Sequence, residues 1–131
     1  MAGLEDCLRA NGDWLGASCV PRWRDAGFVF AGEVEGDQLV LSGIGGKVEP
    51  DETFAAAMRR EFVEETGCSP GQVVTPPEPR HLTELAHQHP VPDGAAALVA
   101  VRPNAHPTGG ALWIAVFLTL LIDAPRPVEK I

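Results

Sequence analysis

The chain has 131 residues, of which 45% are hydrophobic and 21% charged, and its formal net charge at pH 7 is −8. This length and composition predict one globular domain over residues 1–131 and exclude an intrinsically disordered chain. The acidic balance argues against a nucleic-acid duplex or an anionic membrane as the partner, because either would attract a basic face.

Cysteine spacing and apolar segments indicate neither export nor membrane insertion. Cys7, Cys19 and Cys68 are too widely spaced for a disulfide framework or a zinc site. No signal sequence opens the chain, and the longest apolar run, residues 111–122, has about 12 residues where a membrane span needs about 20. We therefore predict a soluble, cytoplasmic protein.

The N-terminal third predicts a short helix and then β-structure. Leu4, Leu8 and Leu15 can line one face of a helix that breaks around residues 11–12, where asparagine and glycine favour a turn. From Cys19 onward the pattern is typical of strands.

A β-hairpin and a glycine-rich loop are predicted next. Residues 27–31 are rich in β-forming side chains, residues 35–37 have the composition of a turn, and residues 38–41 form the second strand. The hairpin leads into a loop over residues 43–46, which contains three glycines.

A helix is predicted over residues 53–66. This segment has no internal proline or glycine, includes three consecutive alanines and is followed by Gly67, which suits a C-cap. Asp51 is the predicted N-cap, and Glu52 suits the positive end of the helix dipole.

Three glutamates share one face of this helix. Glu61, Glu64 and Glu65 are spaced i, i+3 and i+4, so their like charges repel one another, and the nearest basic residues, Arg59 and Arg60, precede them. Hard divalent cations take oxygen ligands, and Mg²⁺ is typically held by carboxylates together with substrate phosphates. The spacing predicts a metal site, and a solvated acidic helix face is the alternative.

Residues 46–68 resemble the Nudix box of the Nudix hydrolases. The segment runs from Gly46 through five residues to Glu52, then seven residues to Arg-Glu, an apolar residue, any residue, Glu-Glu, any residue, Gly67 and Cys68. Every polar and glycine position of the pattern is filled, and only Cys68 matches loosely, because the family has a bulky apolar residue there. So long a pattern is far more specific than a short glycine motif.

The resemblance implies which residues bind metal. In the family, the glutamates matching Glu61, Glu64 and Glu65 bind divalent cations, often together with the carbonyl oxygen matching Gly45. The expected cofactor is Mg²⁺, with Mn²⁺ as a substitute.

The resemblance also implies a catalytic set. The family residues matching Arg60 and Glu52 mainly orient the metal-binding glutamates, so the catalytic candidates are Glu52, Arg60, Glu61 and Glu64. Some members use a glutamate of the box as the general base and others a carboxylate from a distant loop. Outside the box, Glu129 is the first candidate and Glu84 the second, although a solvated surface carboxylate is the simpler interpretation of both.

Downstream of the box, three segments are predicted to be strands or edges of the sheet. Residues 69–80 are rich in proline and predict a loop or edge strand, and residues 81–86 and 95–101 read as strands. His87 and His89 flank one residue without a third ligand nearby, which favours surface histidines over a zinc site.

Residues 113–122 predict a buried central strand, since the run is almost continuously apolar and rich in β-branched residues. The overall prediction is an α+β domain, and the resemblance implies an α/β/α sandwich with a mixed sheet and a catalytic helix at about 53–66. Nudix domains usually end with another strand and a C-terminal helix beyond the point where this chain stops. The closing layer is then expected from the N-terminal segment, a second subunit in a homodimer, or further residues.

The implied reaction is hydrolysis of the pyrophosphate bond of a small-molecule nucleoside diphosphate derivative, by attack of a metal-activated water on phosphorus. The box does not identify the group attached to the diphosphate. Four aromatic side chains are candidates for stacking on a base: Trp14, Trp23, Phe28 and Trp113. The alternative function is a catalytically silent Nudix-like module that binds a nucleotide or regulates another protein.

Overall fold

The computed structural model describes residues 3–23, 27–102 and 110–121. The helices of these segments are α1 (Leu4–Ala10), α2 (Phe54–Thr66) and a short 3-10 helix (Leu85–Gln88). The strands are β1 (Trp14–Trp23), β2 (Ala31–Glu35), β3 (Gln38–Ser42), β4 (Ile44–Lys47), β5 (Gln72–Val73), β6 (Arg80–His81), β7 (Ala97–Val101) and β8 (Leu112–Leu121). In the described part of the chain, neither α-helix is long and apolar enough to cross a membrane.

Six strands form one mixed sheet in the order β4-β1-β8-β7-β6, with β5 also paired to β8. β1 and β8 are parallel neighbours along their whole length. β4 is antiparallel to β1, and both β5 and β7 are antiparallel to β8. The predicted α+β fold with a mixed sheet is confirmed, and β8 is its central strand as predicted, although residue 122 lies outside the described residues.

Strand β1 shows why the two faces of the sheet differ. Leu15, Ala17 and Cys19 are buried, whereas the alternating residues Gly16 and Ser18 are half-exposed. Successive side chains of a strand point to opposite faces, so one face of β1 belongs to the core and the other stays open.

Helix α2 covers the buried face of the sheet. Its buried residues recur at helical spacing and are Phe54, Ala57, Met58 and Phe62. The helix ends at Gly67, whose φ of 74° is left-handed and whose amide donates to the Val63 carbonyl, as predicted for a C-cap.

The predicted N-cap of α2 is wrong. Thr53 is the cap, because its extended backbone precedes the first helical turn and its hydroxyl accepts a hydrogen bond of 3.1 Å from the Ala56 amide. Asp51 lies two residues earlier, and the helix begins one residue later than predicted. Glu52 therefore stands outside the first turn, where its carboxylate is available for other partners.

The hairpin is displaced from its predicted position. β2 begins at Ala31, and within the predicted strand over residues 27–31 only Phe28 forms an isolated bridge, with Arg22. The turn predicted at residues 35–37 is confirmed. β2 and β3 form a separate two-stranded sheet. The β-forming side chains at residues 27–31 therefore do not mark the position of β2.

The strand predicted over residues 81–86 ends at His81. Beyond it, the Thr83 hydroxyl donates to the Ala100 carbonyl at 2.7 Å and accepts from the Ala100 amide at 3.0 Å. The Thr83 side chain thus takes the backbone amide and carbonyl of Ala100 that a longer β6 would pair with. The chain then continues into the 3-10 helix. Glu84 is the residue before that helix.

The N-terminal corner joins α1 to β8. Leu8 is fully buried in the same core as α2, but Leu15 lies on β1 and not on the predicted helical face. β1 begins at Trp14, earlier than the predicted start of β-structure, because Asp13 accepts hydrogen bonds from the Ala111 amide at 2.8 Å and from Trp113 Nε1 at 2.9 Å.

Candidate active site

Arg60 is the centre of a hydrogen-bonded group of charges. Its Nε and Nη2 donate to the two carboxylate oxygens of Glu52 at 2.7 and 2.9 Å, which is a bidentate pair. Its Nη1 donates to Glu61 at 2.9 Å and to Glu64 at 3.3 Å, and Nη2 also donates to the Lys47 carbonyl at 2.9 Å. One guanidinium therefore connects the segment before α2, two glutamates of α2 and strand β4.

The contacts between Arg60 and Glu52 favour the charged form of each residue. Hydrogen bonding from Arg60 lowers the pKa of Glu52, with a smaller contribution from the Glu49 amide, which donates to Glu52 at 2.9 Å. Hydrogen bonds to Glu52 and then Glu61 raise the pKa of Arg60. The pair is accordingly ionised at neutral pH.

Residues 44–46 of the predicted glycine loop belong to strand β4, and only Gly43 lies between β3 and β4, which corrects the sequence interpretation. Gly45 and Gly46 have extended backbones that pair with Ser18 and Ala17 of β1. A Cβ at Gly45 would overlap the Ala17 carbonyl oxygen. These glycines are therefore needed for close approach between neighbouring segments, and not for an unusual backbone conformation.

Gly46 also brings β4 against helix α2. A Cβ at this position would lie 2.6 Å from the carboxyl carbon of Glu61 and 2.7 to 2.8 Å from its oxygens. The absence of a side chain lets the Glu61 carboxylate rest directly on the strand. Glu61 is accordingly the most enclosed of the metal-ligand candidates, with 18% of its side chain exposed, compared with 58% for Glu64.

The three glutamates suit a divalent cation. Glu61 and Glu64 contact the same nitrogen of Arg60. Partial burial of the Glu65 carboxyl raises its pKa, and the charges of Glu61 and Glu64 raise it further. The Glu65 residue as a whole is exposed. Oxygen donors under mutual repulsion are a suitable donor set for a hard cation. Within residues 3–23, 27–102 and 110–121, however, no three acidic, histidine or cysteine side chains already form a metal cluster.

A cleft of about 750 Å³ lies on the open face of the sheet, next to β4. Its walls include Gly16 and Ser18 of β1, Gly46 of β4 and Ile114 of β8, and Trp14 lies at its border, 43% exposed. Gly46 borders this cleft and its Cβ position faces Glu61, whereas the glutamates of α2 are not among the residues that line the cleft. Of the four aromatic candidates, Trp14 lines the cleft, whereas Trp113 is buried in the core.

The candidates outside the box lie elsewhere. Glu84 precedes the 3-10 helix that packs on β7, and β7 and β6 are at the opposite end of the strand order from β4. Glu129 lies outside the described residues. His81 stacks on His87 with 4.6 Å between ring centroids, and its Nε2 is 2.7 Å from the His89 carbonyl.

Sequence reasoning missed three contributors to the site. The Lys47 carbonyl accepts from Arg60, Arg9 donates to the carbonyl oxygens of Glu49 and Glu52, and Glu5 accepts from an amide of α2. Glu5 and Arg9 are spaced i, i+4 on α1, which is also the signature of an ordinary exposed helix. Their spacing gives no indication of the segment they contact.

The NUDIX domain model matches residues 14–117, a range that contains the whole Nudix box and most of the chain. The chain belongs to the Nudix family. A search of curated proteins found no match.

Three solved structures resemble this Nudix chain at low sequence identity. The solution structure of the E. coli ORF135 protein has a TM-score of 0.56 and 20% identity, with 86% of this chain and 64% of that chain covered. A Nudix hydrolase from Nitrosomonas europaea has a TM-score of 0.53 and 19% identity, with coverage of 90% and 66%. The MutT protein from Methanosarcina mazei Go1 has a TM-score of 0.52 and 18% identity, with coverage of 86% and 67%.

These structural matches share the Nudix fold with this chain. The chain spans less than two thirds of the length of the first two, and the sequence identities are low. The family generally uses divalent metal ions and acts on small-molecule nucleotide derivatives.

Proposed function

We propose that the chain is a metal-dependent Nudix hydrolase that cleaves the pyrophosphate bond of a nucleoside diphosphate linked to another group. The observation that carries the proposal is the arrangement of Arg60, which joins Glu52, Glu61 and Glu64 in one hydrogen-bonded group. A charged pair that fixes the rotamers of neighbouring carboxylates is the support that metal ligands require.

In this proposal Glu61, Glu64, Glu65 and the Gly45 carbonyl hold Mg²⁺, which Mn²⁺ can replace. When bound, the ion neutralises the pyrophosphate oxygens and lowers the pKa of a water molecule. The protein supplies the geometry: Gly46 lets Glu61 lie against β4, and Arg60 limits the rotamers of Glu61 and Glu64.

We assign catalytic roles to Glu52, Arg60, Glu61 and Glu64. Arg60 and Glu52 are positioning residues, because their charges are directed at each other and at the glutamates rather than at solvent. Glu64 is the most exposed of the three glutamates that contact Arg60, so water and a phosphate group have access to it. For a general base outside the box, we propose Glu129 as the first candidate and Glu84 as the second.

We further propose that residues 1–131 act as one domain in the cytoplasm on a small-molecule nucleoside diphosphate derivative, and that a homodimer is compatible with this activity. The cleft supports a small molecule as the substrate, because its volume suits one ligand and its lining is mainly apolar. Trp14 at its border is the candidate for stacking on a base.

The alternative function is a silent Nudix-like module that binds a nucleotide without turnover. The complete set of contacts between Arg60 and three carboxylates favours the enzyme, because a module without catalysis has no chemical need for all of them. Ligand binding that stabilises the fold without product formation would favour the module.

The decisive experiment is a panel of nucleoside diphosphate derivatives incubated with the protein and Mg²⁺, with product analysis by chromatography. We compare the parent with Glu64→Gln and Glu65→Gln, and we use Glu33→Gln on the exposed hairpin as the matched control. We expect activity to fall about 10- to 100-fold or more in the first two variants and to remain unchanged in the control. EDTA should abolish turnover.

Two results would contradict the enzyme proposal. The first is no hydrolysis of any compound in the presence of Mg²⁺ or Mn²⁺. The second is full activity in both Glu64→Gln and Glu65→Gln, since the proposed ligands would then be dispensable.

A further inference from the structure

Helix α1 lies outside the range that the family model matches, residues 14–117, yet it contacts the segment that carries Glu52. It is firmly attached to the rest of the fold. Leu8 is fully buried, and Asp13, just after the helix, accepts hydrogen bonds from Ala111 and Trp113 of the β8 region. A residue fixed on α1 therefore has a defined position relative to the sheet.

Arg9 projects from α1 onto the backbone that precedes the catalytic helix. Its Nη2 donates to the carbonyl oxygens of Glu49 and Glu52, both at 2.7 Å, while its Nη1 donates to Asp6 on the same helix at 3.1 Å. Hydrogen bonds from a charged donor are roughly twice as strong as neutral ones. The two carbonyls are thereby held at one guanidinium nitrogen.

The segment held by Arg9 is also closed on itself. The Glu52 amide donates to the Glu49 carbonyl at 3.0 Å, and the Glu49 amide donates to the Glu52 carboxylate at 2.9 Å. Movement of residues 49–52 would consequently move the Glu52 carboxylate, which is the bidentate partner of Arg60.

Glu5 makes a second contact one helical turn before Arg9. Its Oε1 accepts a hydrogen bond of 3.2 Å from the amide of Phe54, the first residue of α2. The first amides of a helix have no partner within the helix, and a carboxylate is favoured at this positive end. Glu5 thus fixes the start of α2 from outside the helix.

We propose that Arg9 and Glu5 are positioning residues of the active site: α1 holds residues 49–54 and thereby sets the geometry of the Glu52–Arg60 pair. The catalytic part of this inference rests on the proposed hydrolase function. Both residues belong to the N-terminal segment of this chain, outside the range that the family model matches. Its effect reaches Glu61 and Glu64 through the hydrogen bonds of Arg60.

The test compares Arg9→Gln with Asp6→Asn in the full chain. Arg9→Gln removes the positive charge and the guanidinium group that donates to the two carbonyl oxygens. Asp6→Asn weakens the exposed ion pair of the same guanidinium and leaves the carbonyl contacts in place. The primary measurement is the exchange rate of the Arg60 Nε proton with water, followed by ¹⁵N NMR without metal or substrate.

We expect the Arg60 Nε proton to exchange about ten-fold faster in Arg9→Gln and at the parental rate in Asp6→Asn, because local opening governs this exchange. Mn²⁺ titrated into the protein should bind about ten-fold more weakly in Arg9→Gln, the lower end of what loss of a supporting contact costs. With a hydrolysed substrate, kcat should fall about ten-fold, whereas KM does not report on positioning because Arg9 also borders the cleft. Arg9→Lys keeps a charged donor. Its Arg60 exchange rate, Mn²⁺ affinity and kcat should therefore lie between those of Arg9→Gln and the parent.

The inference is overturned if Arg9→Gln folds and the Arg60 proton exchanges at the parental rate. If Arg9→Gln does not fold, as judged by circular dichroism, Glu5→Ala decides instead, because it removes one hydrogen bond at the start of α2. Unchanged Arg60 exchange in Glu5→Ala then overturns the inference, and faster exchange supports it. If the parent hydrolyses nothing but the exchange responds to Arg9→Gln, the hydrolase proposal fails and the positioning by α1 stands.

Discussion

The two faces of the central sheet differ in how deeply their side chains are buried, although these side chains alternate residue by residue along the same strands. On the helix face, defined by Leu15, Ala17 and Cys19 under α2, side chains are buried and tightly packed. On the cleft face, defined by Gly16, Ser18 and Ile114, they are half-exposed and border the cleft. The first face supplies stability, and the small residues of the second leave room for a ligand.

The helix face contains the buried side chain of Cys19. The Cys19 thiol lies 3.3 Å from the Thr119 hydroxyl, and burial raises the pKa of Cys19 although the hydrogen bond to Thr119 opposes the shift. A thiol that is hard to ionise is a poor nucleophile, so this cysteine serves packing. The charged group around Arg60 lies beside β4, where Arg60 donates to the Lys47 carbonyl.

The largest expected effect compares one truncation on each side of the sheet. Phe62→Ala removes a fully buried ring of α2 and should lower the free energy of unfolding by about 3–5 kcal/mol. Ile114→Ala on the cleft face should cost only about 1 kcal/mol, because a half-exposed side chain has removed less apolar area from water. Denaturant unfolding measures both values, and similar costs would contradict the distinction between the faces.

The next effect compares two glycines on neighbouring strands. Gly45→Ala should destabilise the protein by about 1–3 kcal/mol, because its Cβ would overlap the Ala17 carbonyl oxygen and the strands would have to shift. Gly16→Ala should change stability by about 0.5 kcal/mol or less, since its Cβ would meet the nearest atoms at 3.6 Å.

The same pair of variants also distinguishes packing from binding. Gly16→Ala adds a methyl group to the wall of the cleft, so we expect it to raise the KM for a hydrolysed substrate while the melting temperature stays near that of the parent. If Gly16→Ala instead unfolds the protein as readily as Gly45→Ala, the wall of the cleft at Gly16 is as closely packed as the contact between Gly45 and Ala17.

The smallest effect concerns the charged pair beside the cleft and depends on pH. Arg60 lowers the pKa of Glu52 in the folded protein, so the pair stabilises the fold fully above the pKa of an unfolded glutamate, about 4.3, and less as the pH falls through the lower folded value. The difference in stability between the parent and Glu52→Gln should therefore be small at pH 7 and shrink further below about pH 4. Unfolding curves at several pH values check this, and a difference that grows in acid would contradict it.

Much of the site could be predicted because it is local. Glu61, Glu64 and Glu65 share a helix face through spacing alone, and Gly67 ends that helix by its conformational freedom. The N-cap was predicted wrongly, since both Asp51 and Thr53 are good caps and only the path of the chain selects between them.

Other features depend on segments that are distant in sequence. The glycines of β4 were interpreted as a loop, because sequence does not reveal that Ala17 and Glu61 approach them. The strand over residues 81–86 was predicted too long, because the hydroxyl of Thr83 takes over the hydrogen bonds of Ala100. Neither contact leaves a periodic signal in the sequence.

By itself, the sequence determined the family, the mixed α+β fold, the helix over residues 54–66 and the three glutamates on one of its faces, because these depend on residue types at short spacings. Tertiary structure alone decided that Arg60 joins Glu52 to Glu61 and Glu64, that β4 lies against Glu61, and that Arg9 and Glu5 of α1 hold the segment before α2. The physical reason is that hydrogen bonds and close contacts between distant segments depend on how the sheet brings those segments together.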